Sequence, residues 1–214
     1  MTMTTVIEQL AQLRLVPMVA IDNAEHADAF GAALVAGGLP VAEITFRTNA
    51  AEAAIRALAK RGDLLVGAGT VLTTEQADRA IDAGAAFLVS PGTNPQVVEH
   101  CLIRSVPIVP GVATPTDVEL GLSLGLTTLK FFPAENLGGI GMLKALAGPF
   151  AGVKFLPTGG ITPEMLPAYL ALPNVIACGG SWLAPRDALA RGDMNMIRKL
   201  VEKAVMLLAN TAPS

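Results

Sequence analysis

The chain has 214 residues, 52% of them hydrophobic, and a formal net charge of −3 at pH 7. That length and apolar content are enough for one substantial buried core, and without a long Lys/Arg cluster the chain lacks the electrostatic footprint that nucleic acid or an anionic membrane requires. No run reaches the roughly 18 apolar residues that span a bilayer, and the N-terminal MTMTTVIEQLAQLR carries acid and amide groups where a signal peptide has positive charge, so a soluble cytoplasmic protein is expected.

Residues 4–14 read as a helix that precedes the first strand. The strand-like run VPMVAI (16–21) comes next, and Asp22 opens a helix over 23–36. VAEITF (41–46) and LLVGAG (64–69) are the second and third strands, and Thr73 starts a helix over 74–83. AFLVS (86–90) precedes a helix that opens at Asn94-Pro95 and runs to 104. VPIVPG (106–111) is followed by a start at Thr114-Pro115, then TTLKFF (127–132) and VKFLPT (153–158). Thr162-Pro163 starts the next helix, NVIACG (174–179) is the eighth strand, and Asp193 opens the last helix.

These strand-then-helix units recur about every 20–26 residues. Each helix start offers a capping oxygen, often with proline in the first turn, just after a strand. Eight such units predict an α/β chain folded as a (β/α)8 TIM barrel, one compact domain over residues 1–214, with the short extra N-terminal helix closing the bottom of the barrel. A doubly wound sheet also alternates strand and helix, but it seldom reaches eight units in so short a chain.

Cys101 and Cys178 lack a short-range pairing motif and read as reduced, packed thiols. His26 and His100 lie on helical stretches, with no second ligand at metal-site spacing. Neither a metal nor another cofactor is expected. The chemistry therefore falls to Lys, Glu, Arg, hydroxyl groups and backbone.

In such a barrel the active site lies at the C-terminal ends of the strands. In VAEITFR the period of two sets Val41, Glu43, Thr45 and Arg47 on one face and Ala42, Ile44 and Phe46 on the other. The apolar set faces the helices, so Glu43 and Arg47 are expected to point inward. An internal salt bridge is the plainer reading of that pair; their position at the middle and end of a strand favours contact with substrate. The same parity turns Thr128, Lys130 and Phe132 inward and Leu129 and Phe131 outward. Lys130, enclosed by apolar neighbours, loses hydration, which favours the neutral amine that attacks carbonyls. The competing readings are a lysine that snorkels from the barrel mouth or one that merely neutralises Glu43. Lys60, Lys144, Lys199 and Lys203 fall on helices, and Lys154 falls at the non-catalytic end of its strand. Two glycine turns, Thr158-Gly159-Gly160 and Gly179-Gly180-Ser181, follow the seventh and eighth strands, where barrels commonly seat phosphate.

The motifs AEITFRT (42–48), GAGTV (67–71), SPGTNP (90–95), PGVATPT (110–116), LKFFPAE (129–135) and PTGGIT (157–162) run the length of the chain. Together they resemble the 2-keto-3-deoxy-6-phosphogluconate (KDPG) and 4-hydroxy-2-oxoglutarate (KHG) aldolases. The resemblance implies a metal-independent class I aldolase that needs no cofactor, takes a small keto-acid phosphate, and forms a homotrimer. It implies Lys130 as the Schiff-base residue and Glu43 as the proton shuttle. Arg47 and Thr70 would bind the substrate carboxylate, and Pro91 and Phe132 would shape the pyruvyl pocket. Thr158, Gly159, Gly160, Gly179, Gly180 and Ser181 would receive the distal phosphate. The implied reaction splits KDPG into pyruvate and glyceraldehyde 3-phosphate, with cleavage of 4-hydroxy-2-oxoglutarate as a second activity. Three alternatives remain open on the residues: an aldolase for the galactonate epimer, a phosphosugar isomerase or epimerase using Glu43 as base, and a non-catalytic phosphometabolite-binding barrel.

Overall fold

The computed structural model describes residues 5–209. Helix α1 (Val6–Leu13) leads into β1 (Leu15–Val19), after which come α2 (Ala27–Ala36), β2 (Val41–Thr45), α3 (Ala51–Arg61), β3 (Leu65–Gly69), α4 (Thr74–Asp82) and β4 (Phe87–Val89). α5 (Pro95–Ile103), the short pair β5 (Ile108–Val109) and β6 (Gly111–Val112), α6 (Pro115–Ser123), β7 (Thr128–Phe131) and α7 (Gly139–Ala147) come after them. The chain closes with β8 (Lys154–Pro157), α8 (Leu166–Leu170), β9 (Cys178–Gly180), α9 (Arg186–Ala190) and α10 (Met194–Ala209).

All strand pairs are parallel, as short crossover helices require. One curled sheet has the order β5-β4-β3-β2-β1-β9 and the other the order β6-β7-β8. Pro110 divides what the sequence reads as a single fifth strand. It has no N–H for a ladder, yet its carbonyl accepts from Lys130 N at 2.8 Å. The chain thus passes from one sheet to the other at this proline. On the opposite side, bridges Phe155–Val175 and Thr158–Gly179 join β8 to the segment containing β9. The predicted eighth strand is shorter than its apolar run, with only Cys178–Gly180 in the ladder.

Every residue of β2 is buried, which is what a parallel strand covered on both faces demands. One apolar cluster runs through strands and helices, from Leu10 of α1 through Phe30, Phe87, Phe131 and Phe155 to Val201 of α10. α1 borders a cleft with Pro40, Leu64 and Leu65, which lead into β2 and β3, so it lies at the N-terminal ends of those strands, as its place in the sequence predicts. Cys101 and Cys178 are free and buried, and burial pushes their thiols up to about 11 and about 12.

The predicted helix starts at Thr73, Asn94 and Thr114 each carry a side-chain cap, and Thr114 forms a reciprocal box with Asp117. Asp193 accepts from Met196 N at 3.0 Å. Two starts differ. Asn23, not Asp22, caps a 3-10 turn that precedes α2, while Asp22 pairs with Arg186. Thr162 makes no side-chain cap and leads into the 3-10 turn Pro163–Met165.

Candidate active site

In register, Glu43 lies between Met18 of β1 and Gly67 of β3. β3 gives its neighbours room by carrying almost no side chains there. A Cβ on Gly67 would lie 2.2 Å from Phe87 Cζ, and one on Gly69 would lie 2.0 Å from Glu43 Oε1. Gly69 therefore leaves the space into which the Glu43 carboxyl folds, and Gly67 the space for the Phe87 ring.

Lys130 sits between Gly111 of β6 and Leu156 of β8 and is 4% exposed. Its Nζ is 3.5 Å from Glu43 Oε1, 3.9 Å from Met18 Sδ and 5.2 Å from the centre of the Phe132 ring. Glu43 is fully buried, and among the described residues neither of its carboxyl oxygens has a hydrogen-bond partner. A buried carboxylate is normally saturated with donors. Here only Lys130 Nζ faces it, at ion-pair distance, among the described residues. Lys130 does face Glu43, but within an enclosed and incompletely satisfied pair. The other lysines are exposed, and Lys154 donates to Pro173 O at 2.8 Å.

Arg47 departs from strand parity. β2 ends at Thr45, so Arg47 lies in the following turn and is exposed rather than inside the sheet. Its Nε donates to Thr45 Oγ1 at 3.1 Å, and Thr45 Oγ1 donates to Val19 O at 3.1 Å. The rest of the guanidinium faces a cavity of about 330 Å³ lined also by Met18, Thr48, Ser181 and Arg186. Met18 connects this cavity to Lys130.

Thr70, at the C-terminal end of β3, adopts φ 58°. A β-branched residue in the left-handed region is strained, and such strain concentrates at working sites. Pro91 belongs to a tight turn in which Ser90 Oγ donates to Gly92 O at 2.7 Å and Thr93 Oγ1 donates to Gly111 O at 2.9 Å. A Cβ on Gly111 would lie 2.0 Å from Pro91 O, so that turn rests directly on the strand beside Lys130.

The two glycine turns adjoin. Thr158 pairs with Gly179, and a Cβ on Gly179 would lie 2.4 Å from Thr158 Oγ1. Gly159 and Gly160 hold φ of 103° and 80°, conformations that a side chain would strain. Thr158 is buried, with its hydroxyl on Leu156 O at 3.4 Å, whereas Ser181 is exposed and lines the Arg47 cavity. Met18, Gly69 and Gly111 escape sequence reasoning, although the strand register that sets Met18 beside Glu43 obeys the same parity that singles out Lys130.

The model of the KDPG and KHG aldolase family matches residues 6–200. The 2-dehydro-3-deoxy-phosphogluconate aldolase of Treponema pallidum is 47% identical over 207 residues, covering 96% of this chain and 99% of the relative. The KDPG aldolase of Zymomonas mobilis, solved with 3-phosphoglycerate, superposes with a TM-score of 0.88 at 41% identity, over 94% of this chain and 96% of that one. The KDPG aldolase of Legionella pneumophila, solved with pyruvate as a covalent carbinolamine, gives a TM-score of 0.89 at 39% identity, over 92% and 97%. With that coverage at both levels, the chain belongs to the KDPG and KHG aldolase family.

Proposed function

We propose that this chain is a class I aldolase that cleaves KDPG into pyruvate and glyceraldehyde 3-phosphate, with 4-hydroxy-2-oxoglutarate as a second substrate. The observation that carries the reading is the enclosed pair: Lys130 Nζ 3.5 Å from Glu43 Oε1, both side chains withdrawn from solvent. The Lys130 amine adds to the C2 ketone, and the carbinolamine loses water to give an iminium. Glu43 takes the C4 hydroxyl proton as the C3–C4 bond breaks. Its electron pair flows to the iminium nitrogen, leaving an enamine and a free aldehyde. The protonated Glu43 returns a proton to C3, and water hydrolyses the iminium to pyruvate and free Lys130. Arg47 and Thr70 hold the substrate carboxylate, Pro91 and Phe132 bound the pyruvyl group, and the turns from Thr158 to Gly160 and from Gly179 to Ser181 take the phosphate. The carbinolamine in the Legionella relative supports the covalent route.

The same reading takes the two sheets as one closed (β/α)8 barrel in a single domain, with β5 and β6 counted as one strand. The link at Pro110 and the bridges Phe155–Val175 and Thr158–Gly179 support it. A cytoplasmic homotrimer is the assembly that family membership implies, and exposed Leu72, Leu102 and Ile103 offer apolar surface for it; sedimentation equilibrium tests it. The catalytic reading is tested by borohydride reduction with pyruvate. A stable pyruvyl adduct is expected on Lys130, and an adduct on Lys144 or Lys154 instead, or none at all, sinks it. An isomerase or epimerase would form no covalent imine, and a binding protein would release no pyruvate from KDPG.

A further inference from the structure

Beyond Lys130, the LKFFPAE segment turns back over the first glycine turn. Ala134 N donates to Thr158 O at 2.8 Å and Glu135 N donates to Gly159 O at 3.1 Å. Glu135 Cβ and Cγ lie 2.7 and 2.9 Å from where a Cβ on Gly160 would stand, so the Glu135 stem fills the space that this glycine leaves. The glutamate is exposed, and its carboxyl is secured from behind: the hydroxyl of Tyr169, a residue of α8 only 1% exposed, donates to Glu135 Oε1. Gly139 closes on both groups, since a Cβ there would be 2.7 Å from Oε1 and 2.7 Å from the tyrosine oxygen. Burial first, and then the Glu135 carboxylate, push the Tyr169 phenol above its ordinary value, so it stays a donor.

A carboxylate beside an anion seat is costly, because it repels a phosphate dianion and competes for the same backbone N–H groups. Left free on its stem, Glu135 would reach the turn it packs against. We propose that the Tyr169 hydroxyl tethers the Glu135 carboxylate away from the Gly159 and Gly160 turn, making the two a positioning pair that serves the phosphorylated end of the substrate and not the Schiff-base chemistry. This rests on the reading of that turn as the phosphate seat. Neither residue touches the reacting carbons. Their effect is confined to how well the distal anion is received.

The test compares wild type, Tyr169→Phe and the double variant Tyr169→Phe/Glu135→Gln. KDPG and 4-hydroxy-2-oxoglutarate serve as substrates, and inorganic phosphate serves as competitive inhibitor. Tyr169→Phe should raise both KM for KDPG and the inhibition constant of phosphate about tenfold, the loss of one hydrogen bond to a charged group. Pyruvate trapping on Lys130 and kcat/KM for 4-hydroxy-2-oxoglutarate should stay within about twofold. Adding Glu135→Gln removes the loose charge and should bring phosphate inhibition back to within about threefold of wild type. Equal losses on both substrates, unchanged phosphate inhibition in Tyr169→Phe, or no recovery in the double variant overturns the proposal. Failure of phosphate to compete in wild type would remove the seat itself, and an absence of pyruvate trapping would remove the aldolase reading; each differs from the signature of a failed tether.

Discussion

Glu43 and Lys130 meet at 3.5 Å from strands that share no sheet, β2 in the six-stranded one and β7 in the three-stranded one. Replacing Lys130 with methionine leaves the Glu43 carboxylate buried and alone, a loss of about 3 kcal/mol. Adding Glu43→Gln removes the orphaned charge. Urea unfolding should show Lys130→Met well below wild type and the double variant recovering most of the difference. A double variant no more stable than the single one would mean that the carboxylate is not charged there.

Gly69 is the position where a single methyl group displaces the Glu43 carboxyl, the proton shuttle of the proposed mechanism, while Lys130 is left alone. Its Cβ would stand 2.0 Å from Glu43 Oε1, so Gly69→Ala must push the carboxyl aside. Exchange of pyruvate's methyl protons, followed by NMR in deuterated water, should fall about 100-fold, the cost of misplacing a catalytic group by roughly 1 Å. Borohydride trapping on Lys130 should persist. Exchange at the wild-type rate would remove Glu43 from the proton-transfer step.

Arg47 commits its Nε to Thr45 and keeps the outer part of the guanidinium for the cavity. A lysine cannot hold both positions with one ammonium, so Arg47→Lys should raise KM for KDPG about tenfold with little change in kcat. A fall in kcat at constant KM would argue that Arg47 works in the transition state instead of holding the carboxylate.

Asp117 makes one element of stability depend on pH. Burial pushes its carboxyl up, but the N–H groups of Ala113 and Thr114 and the Thr114 hydroxyl more than offset this and hold it below its ordinary value. A folded-state value that is depressed gives stability that is present above the unfolded value of about 3.9 and lost as pH falls through the folded one. Asp117→Asn should cost about 1 kcal/mol at neutral pH, and the gap to wild type should narrow toward pH 3. Urea midpoints at the two pH values measure it; a gap that is constant with pH would place the effect outside the α6 cap.

How much of the molecule is legible in its sequence depends on how local each signal is. Thr73, Asn94 and Thr114 announce helix starts because a cap and its N–H lie within three residues of each other. Lys130 and Glu43 are legible because parity within one strand fixes a face. Parity fails at Arg47, where the strand has already ended, and Asp22 is drawn away from capping by Arg186, 164 residues distant. Nothing in the sequence places Tyr169 against Glu135 or sets Thr70 in a left-handed conformation, because both depend on how distant turns pack.

Pro110 has one more consequence. On one side the two sheets are joined by the peptide around this proline, and on the other by two lone bridges, Phe155–Val175 and Thr158–Gly179. The separation of amine from acid is therefore set across a seam, whereas each strand is held by full ladders on its own side. On the proposed mechanism, a slight parting of that seam would stop cleavage while helices and cores survive, which makes turnover its earliest thermometer. In a urea series, aldol cleavage will fade before the far-ultraviolet helical signal does.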